Sequence, residues 1–356
     1  MYTEPLRVAV VAPPWFDVPP RGYGGIEAVL ADLVDALIER GNDVTLIGAG
    51  TDLTKAQFIQ TFDTPPSERL GEPFPEVVHA ARVAKILQTL DVDVVHDHSL
   101  AGPLLAFGGE VPTVVTVHGP VDSDLRDYYG SFGRALSLVA ISNQQRRNAP
   151  ELNWRGTVHN ALHVQDFQYQ ADKEDWILFL GRSTADKGMH IAIDAARAAG
   201  RRIVLAAKCI EPAEKDYFRT EIEPRLGPDT EWLGEVGVDQ KKDLLARARC
   251  LLFPIQWDEP FGMVMIEALA SGTPVVATRR GSVPEVVVDG VTGLVCDDVA
   301  ELPWALDEVE RIEPELCRKD VDDRFSPHVM AAGYERVFRS VIRPVRGRTV
   351  PKLGVA

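Results

Sequence analysis

Short runs of aliphatic and β-branched residues alternate with longer stretches whose apolar positions recur every three or four residues. The alternation runs through the chain twice. In the first half, residues 6–12, 43–48, 92–96, 111–117, 138–141 and 157–160 predict strands, apolar on consecutive positions as in a parallel sheet covered on both faces. Residues 26–40 carry Val29, Leu30, Leu33, Val34 and Leu37 on one helical face and stop at Gly41; residues 76–90 predict a second helix, and 144–147 open a third. Residues 51–75, irregular and proline-bearing, predict a long loop, and polar, aperiodic 164–175 an interdomain linker. The alternation restarts at 176–181, with further strands at 202–206, 230–233, 251–254 and 293–296 and one after Pro274. Helices are predicted at 189–199, 211–225 and 238–247, from Met263 to Ser271-Gly272, from 301 onward, and at 326–343, where Ser326 is an N-cap followed by Pro327. The expected fold is α/β, with two Rossmann-like domains, 1–163 and 164–325, facing each other across a cleft.

Open α/β sheets bind ligands at the carboxyl ends of their strands, and polar residues gather at those ends here. Gly24 and Gly25 sit between the first strand and the first helix, where backbone N–H groups can hold a phosphate. The spacing is not a full G-x-G-x-x-G, so a plain turn is the other reading. His96-Asp97-His98 resembles a metal triplet, but neighbours on a strand point to opposite faces, which favours a structural role or a cleft wall. His118 follows the strand 111–117. Arg182 and Lys187 flank a short loop at a helix N-terminus, a good diphosphate site unless both are merely solvated. Glu259 lies in a loop and Glu267 on the helix behind it. Pointing into one cleft, their carboxylates suit the hydroxyls of a sugar or ribose; apart, they would be a helix-end charge and a solvated face.

At 356 residues the chain suits two domains, and 45% hydrophobic with 26% charged residues is ordinary for a soluble globular protein. A formal charge of −15 argues against a nucleic-acid partner, while leaving room for a local basic pocket that takes one diphosphate. Cys209, Cys250, Cys296 and Cys317 form no CxxC pair, so neither a disulfide framework nor a zinc site is expected, and the cytoplasm is the expected compartment. No N-terminal signal or membrane-length apolar run appears, and membrane contact is expected to be peripheral at most. The basic tail of Arg343, Arg346, Arg348 and Lys352 reads as solvated.

The run Glu259-Pro-Phe-Gly-(four residues)-Glu267-Ala-Leu-Ala-Ser-Gly-Thr-Pro-Val-Val closely resembles the signature of the retaining, family-four glycosyltransferases of the GT-B fold. That resemblance implies that Glu267 holds ribose hydroxyls, that Glu259 holds hydroxyls of the donor sugar, and that His118 lies beside the anomeric carbon. Arg182 and Lys187 would stabilise the departing diphosphate. Gly24, Gly25, Leu233, Gly262, Met263 and Val264 would complete the donor site, the base being read by backbone near Leu233-Gly234. Ser282 and Val283 would offer backbone N–H groups to the donor. The helix 326–343 would return to pack on the first domain. Asn160-Ala161-Leu162-His163 departs from the family's Asn-Gly-(Val/Ile)-Asp, so any contact made by the missing aspartate is in question.

The resulting expectation is a retaining hexosyltransferase, using a nucleotide sugar of UDP-glucose or GDP-mannose type and an acceptor that is a glycan, a lipid or a small molecule. No cofactor or metal is expected, and a homodimer is left open. The alternatives are a nucleotide-sugar epimerase or hydrolase of the same architecture and a non-catalytic nucleotide-sugar-binding module.

Overall fold

The computed structural model describes residues 4–22, 24–106 and 109–342. A first sheet contains β1 (Arg7–Val11), β2 (Asp43–Ala49), β3 (Gln57–Phe62), β4 (Val94–Asp97), β5 (Thr113–Val117), β6 (Ser137–Ala140) and β7 (Trp154–Thr157), in the order β3-β2-β1-β4-β5-β6-β7. A second contains β8 (Ile177–Arg182), β9 (Ile203–Lys208), β10 (Thr230–Gly234), β11 (Cys250–Phe253), β12 (Val275–Thr278) and β13 (Gly293–Cys296), in the order β10-β9-β8-β11-β12-β13. Every pairing is parallel. The strand order reverses direction beside β1 in one sheet and beside β8 in the other, and those reversals open crevices at the carboxyl ends.

Three expectations change. The segment read as a loop contains β3, an edge strand whose Phe58, Ile59 and Phe62 are only half-buried. A strand with a neighbour on one side buries too little to write a strong apolar run. The last strand of the first sheet is Trp154–Thr157, earlier than 157–160, because an edge strand tolerates the exposed Arg155 at its middle. The second helix runs Pro73–Leu87, three residues early, with proline in its first turn, where a missing N–H costs nothing.

The helix Pro327–Val341 leaves the second sheet and lies on the helix Gly25–Glu39 of the first. Its Met330, Ala331, Tyr334, Val337 and Phe338 are buried in one cluster with Leu30, Leu33, Val34, Val114 and Val139. Glu335 fixes the contact by accepting from Arg40 Nη2 and Asn42 Nδ2, each at 2.7 Å. A second tie crosses between the sheets. The Glu285 carboxylate accepts from the backbone N–H groups of Asn143 and Gln144 at 2.7 Å and contacts His159 Nε2 at 3.1 Å. Among the described residues no helix is long and apolar enough to cross a membrane. The basic residues from Arg343 onward lie outside the described residues.

Candidate active site

At the carboxyl end of the second sheet, β8 delivers Arg182, β9 delivers Lys208, and the loop after β11 delivers Glu259. With Lys187, Lys241 and Glu267 they line a cavity of about 350 Å³, together with Gly262, Met263 and Val264. Four cations thus meet three carboxylates, Glu235 being the third, in a chain whose net charge is −15. Four cations less three carboxylates leave these lining side chains a net charge of +1 in an otherwise acidic chain.

Three of these cations are paired with carboxylates. Lys187 Nζ is bonded to Glu259 Oε2 and lies 5.0 Å from the centre of the Trp257 ring. Lys241 Nζ donates to Glu267 Oε1 at 2.8 Å. Arg182 donates from Nε to Glu214 Oε1 at 2.7 Å and pairs with Glu211 at 2.9 Å. Glu214 is buried, which alone would raise its pKa; donation from the Ile210 and Glu211 N–H groups and from Arg182 instead holds it below the usual carboxylate range. Arg182 is therefore held in place from behind.

Two glycines shape the loops. Gly188, at φ +75°, precedes the helix Met189–Ala198, and a Cβ there would lie 2.2 Å from the Pro254 carbonyl oxygen. Gly281, at φ +53°, leaves no room for a Cβ against the Glu259 backbone at 2.4 Å. Gly281 N donates to Asp258 Oδ1 (3.2 Å), Ser282 N to Glu259 O (3.0 Å) and Ser282 Oγ to Phe261 O (2.7 Å). Val283 N is taken by Arg280 O. The N–H groups of Ser282 and Val283, expected to face a donor, are thus spent inside the protein, and the Gly281-Ser282 turn positions Glu259 instead.

A second cavity of about 400 Å³ adjoins the first, sharing Glu259, Gly262 and Met263 with it. Gly24, Gly25, Glu27, His118 and Asn160 also line it. Leu233 reaches neither cavity. The register shift at Trp232/Gly234 and the positive φ of Gly234 turn the chain there, and Glu235 and Val236 line the first cavity instead.

His118 ends a buried hydrogen-bonded row. His118 Nε2 is 2.8 Å from His98 Nδ1, His98 Nε2 is 3.2 Å from His96 Nδ1, His96 Nε2 is 2.8 Å from Thr116 Oγ1, and Thr116 Oγ1 is 2.9 Å from Tyr334 OH. Burial pushes the His118 pKa down to about 4 and those of His96 and His98 well below their ordinary value, so all three rings are neutral at pH 7. A neutral imidazole has one donor and one acceptor, so the row can run in only two senses, and each sets what His118 Nδ1 presents. Asp97 points the other way and accepts from Ser99 N and Oγ at 2.8 and 2.7 Å. Strand alternation thus splits the apparent metal triplet, and among the described residues no group of three or more such side chains is placed to hold a metal ion.

Sequence reasoning missed Lys208, Lys241, Glu27 and Asn160 as lining residues. Lys208 had a signal, a cation at the carboxyl end of a buried strand. Lys241 had none, since a lysine in the polar helix Val238–Arg247 reads as solvated.

Two parallel sheets with a charged cavity at the carboxyl ends of one define a protein of GT-B architecture. Residues 164–320 match the family of glycosyl transferases group 1, and residues 23–155 match glycosyltransferase family 4. The chain belongs to the group 1 glycosyltransferases of the GT-B fold, and it is a glycosyltransferase. The phosphatidyl-myo-inositol mannosyltransferase of Mycolicibacterium smegmatis is 25% identical over 371 residues, covering 94% of this chain and 90% of its own. The glycogen synthase of Mycobacterium tuberculosis is 28% identical over 362 residues, covering 85% and 86%. AviGT4, a glycosyltransferase involved in avilamycin A biosynthesis, superposes with a TM-score of 0.69 at 27% identity over 95% of this chain and 98% of that one. HepE of Anabaena, solved in complex with UDP and glucose, has a TM-score of 0.71 at 18% identity over 94% and 100%, a likeness of fold alone.

Proposed function

We propose that the protein is a retaining glycosyltransferase that moves a hexose, without a metal ion, from a nucleotide sugar of UDP-glucose or GDP-mannose type to an acceptor hydroxyl. The observation that carries this reading is the convergence of Arg182, Lys187, Glu259 and Glu267 on one cavity. When the bond from the anomeric carbon to the diphosphate breaks, its electron pair goes to the phosphate oxygen. Fixed cations beside that oxygen stabilise the charge most where water is excluded. Arg182 and Lys187 take that role, Glu267 accepts from the ribose and Glu259 from the sugar, with neutral His118 beside the anomeric carbon. Residues 1–163 with the last helix form the acceptor side, and 164–325 hold the donor.

The Lys187–Glu259 pair favours a ligand with both kinds of group. Phosphate alone would satisfy the ammonium and strand a mostly buried carboxylate; a free sugar would do the reverse. A nucleotide sugar replaces both partners at once. With the acceptor on the face from which the diphosphate leaves, its proton passes to the departing phosphate oxygen, and configuration is retained.

The test is a thermal-shift and turnover panel of nucleotide sugars on the full chain. One donor should raise the melting temperature and, with acceptor, release nucleoside diphosphate and an anomerically retained glycoside. Failure of every donor to bind, or an inverted product, overturns the reading. Epimer formed without acceptor would identify an epimerase, and binding without turnover a binding module.

A further inference from the structure

We propose that the acceptor is an apolar, hydroxyl-bearing aglycone, neutral or cationic, bound as a single small molecule in a cavity of the first half that opens beside His118; this rests on the nucleotide-sugar reading above. The cavity measures about 710 Å³, within the range that takes one drug-sized ligand. Its walls include Trp15, Leu70, Val77, Leu100, Leu104 and Tyr128. Leu70, Val77, Leu100 and Leu104 are each 50% exposed or more, so four large apolar side chains stand in water around one opening. A contiguous apolar patch of that kind marks a binding surface.

Several of the polar groups in these walls are already committed. Trp15 Nε1 donates to Glu76 Oε1 at 2.9 Å, and Tyr128 OH donates to the Leu100 carbonyl at 2.7 Å. Glu76 Oε2 accepts from Leu100 N at 3.2 Å and Ala101 N at 3.4 Å, and His98 is bonded within its row. Asp124, one Glu72 oxygen and the Tyr129 hydroxyl are left to meet a ligand, and a glycan would bring more hydroxyls than these can satisfy, at a desolvation cost for each of the rest. Charge excludes a second class. The charged lining residues are Glu72, Glu76 and Asp124, and no lysine or arginine is among them. A phosphorylated headgroup would find no cation there and three carboxylates. An apolar ring or branched chain fits the walls, and only its hydroxyl needs to reach His118.

In the transfer, that hydroxyl oxygen forms a bond to the anomeric carbon of the nucleotide sugar. The bond from that carbon to the diphosphate breaks with its electron pair on the diphosphate, which takes the hydroxyl proton. The products are the glycoside and a nucleoside diphosphate.

The test is calorimetric titration of the full chain with 2-naphthol, with maltotriose and with phosphatidylinositol vesicles, repeated on Leu104→Arg and Leu70→Arg. Both positions are exposed, so the variants should fold. 2-Naphthol should bind, roughly tenfold or more weakly to either variant, and should be glycosylated when the working donor is added. Maltotriose and the vesicles should give no saturable heat. Binding of maltotriose or vesicles in preference to 2-naphthol overturns the inference, as does 2-naphthol binding that neither arginine weakens. If UDP-glucose and GDP-mannose produce no thermal shift while 2-naphthol binding responds to both variants, the cavity's chemistry stands and the donor reading alone fails.

Discussion

Lys187 and Glu259 are bonded to each other across the candidate donor cavity, though sequence reasoning gave one to the diphosphate and the other to the sugar. Their side chains are only 20% and 13% exposed. Removing either partner therefore leaves the other poorly hydrated as well as removing its contact with the donor. Lys187→Met should lower turnover by about 10²–10³-fold, the usual effect of losing one group that stabilises developing charge. In urea denaturation, Lys187→Met and Glu259→Gln should each be destabilising, and the double variant less so than their sum, with a coupling of about 0.5–3 kcal/mol. Additive losses would show that the pair does not act as a unit.

The row from His118 to Tyr334 predicts an order of stabilities. Tyr334→Phe leaves Thr116 its bond to His96 and should cost about 1 kcal/mol. Thr116→Val removes a bond from both His96 Nε2 and Tyr334 OH inside the core and should cost about 2–6 kcal/mol, one buried polar penalty of about 1–3 for each. The reverse order in urea midpoints would show that the row is not continuous.

Glu27 carries a pH dependence whose sign follows from its burial. Burial is the main cause raising its pKa from 4.5 to about 7, with nearby Glu76 adding to it against an opposing backbone hydrogen bond. The unfolded chain releases this proton near 4.5 and the folded chain near 7. The stability gained from holding it is full below 4.5 and is lost as pH rises through 7. Glu27→Gln, neutral throughout, should therefore gain on the wild type between those values, by on the order of 3 kcal/mol at most. His118, with its pKa lowered to about 4, should stay mostly neutral by NMR from pH 8 down to pH 5.

Gly188→Ala tests the loop that presents Lys187. The positive φ and the 2.2 Å approach to the Pro254 carbonyl oxygen leave no place for a methyl group. The substitution should cost more than about 1 kcal/mol and weaken donor binding as the loop shifts. An unchanged melting temperature and an unchanged donor-induced shift would count against the rigidity of this turn.

Much of this was legible in the chain because buried parallel strands write themselves as continuous apolar runs. Leu251–Phe253 and Val275–Ala277 show no exposed position at all. Edge strands such as β3 and β7 bury one side and were misread or misplaced. Arg182, Lys187 and Glu259 were singled out because each lies at or soon after the end of a strand, yet Lys208, which also ends one, was passed over. Lys241 could not be found, because a helix position says nothing about which neighbour its side chain will meet. The spending of the Ser282 and Val283 N–H groups on Glu259 and Arg280 was equally invisible, since backbone donors leave no mark in composition. The partners of Lys187 and Glu267 arise from distances in space that spacing along the chain does not encode.

The helix Pro327–Val341 has a consequence for how the polypeptide is made. Five of its side chains belong to the apolar cluster under the first sheet, yet they leave the ribosome after the entire second sheet. The amino-terminal half is therefore synthesised with an open seam over Leu30 and Val114, which closes only when this fifteen-residue helix arrives. A chain released at residue 325 should be cut by protease within its first half, and adding the 327–342 peptide in trans should restore resistance.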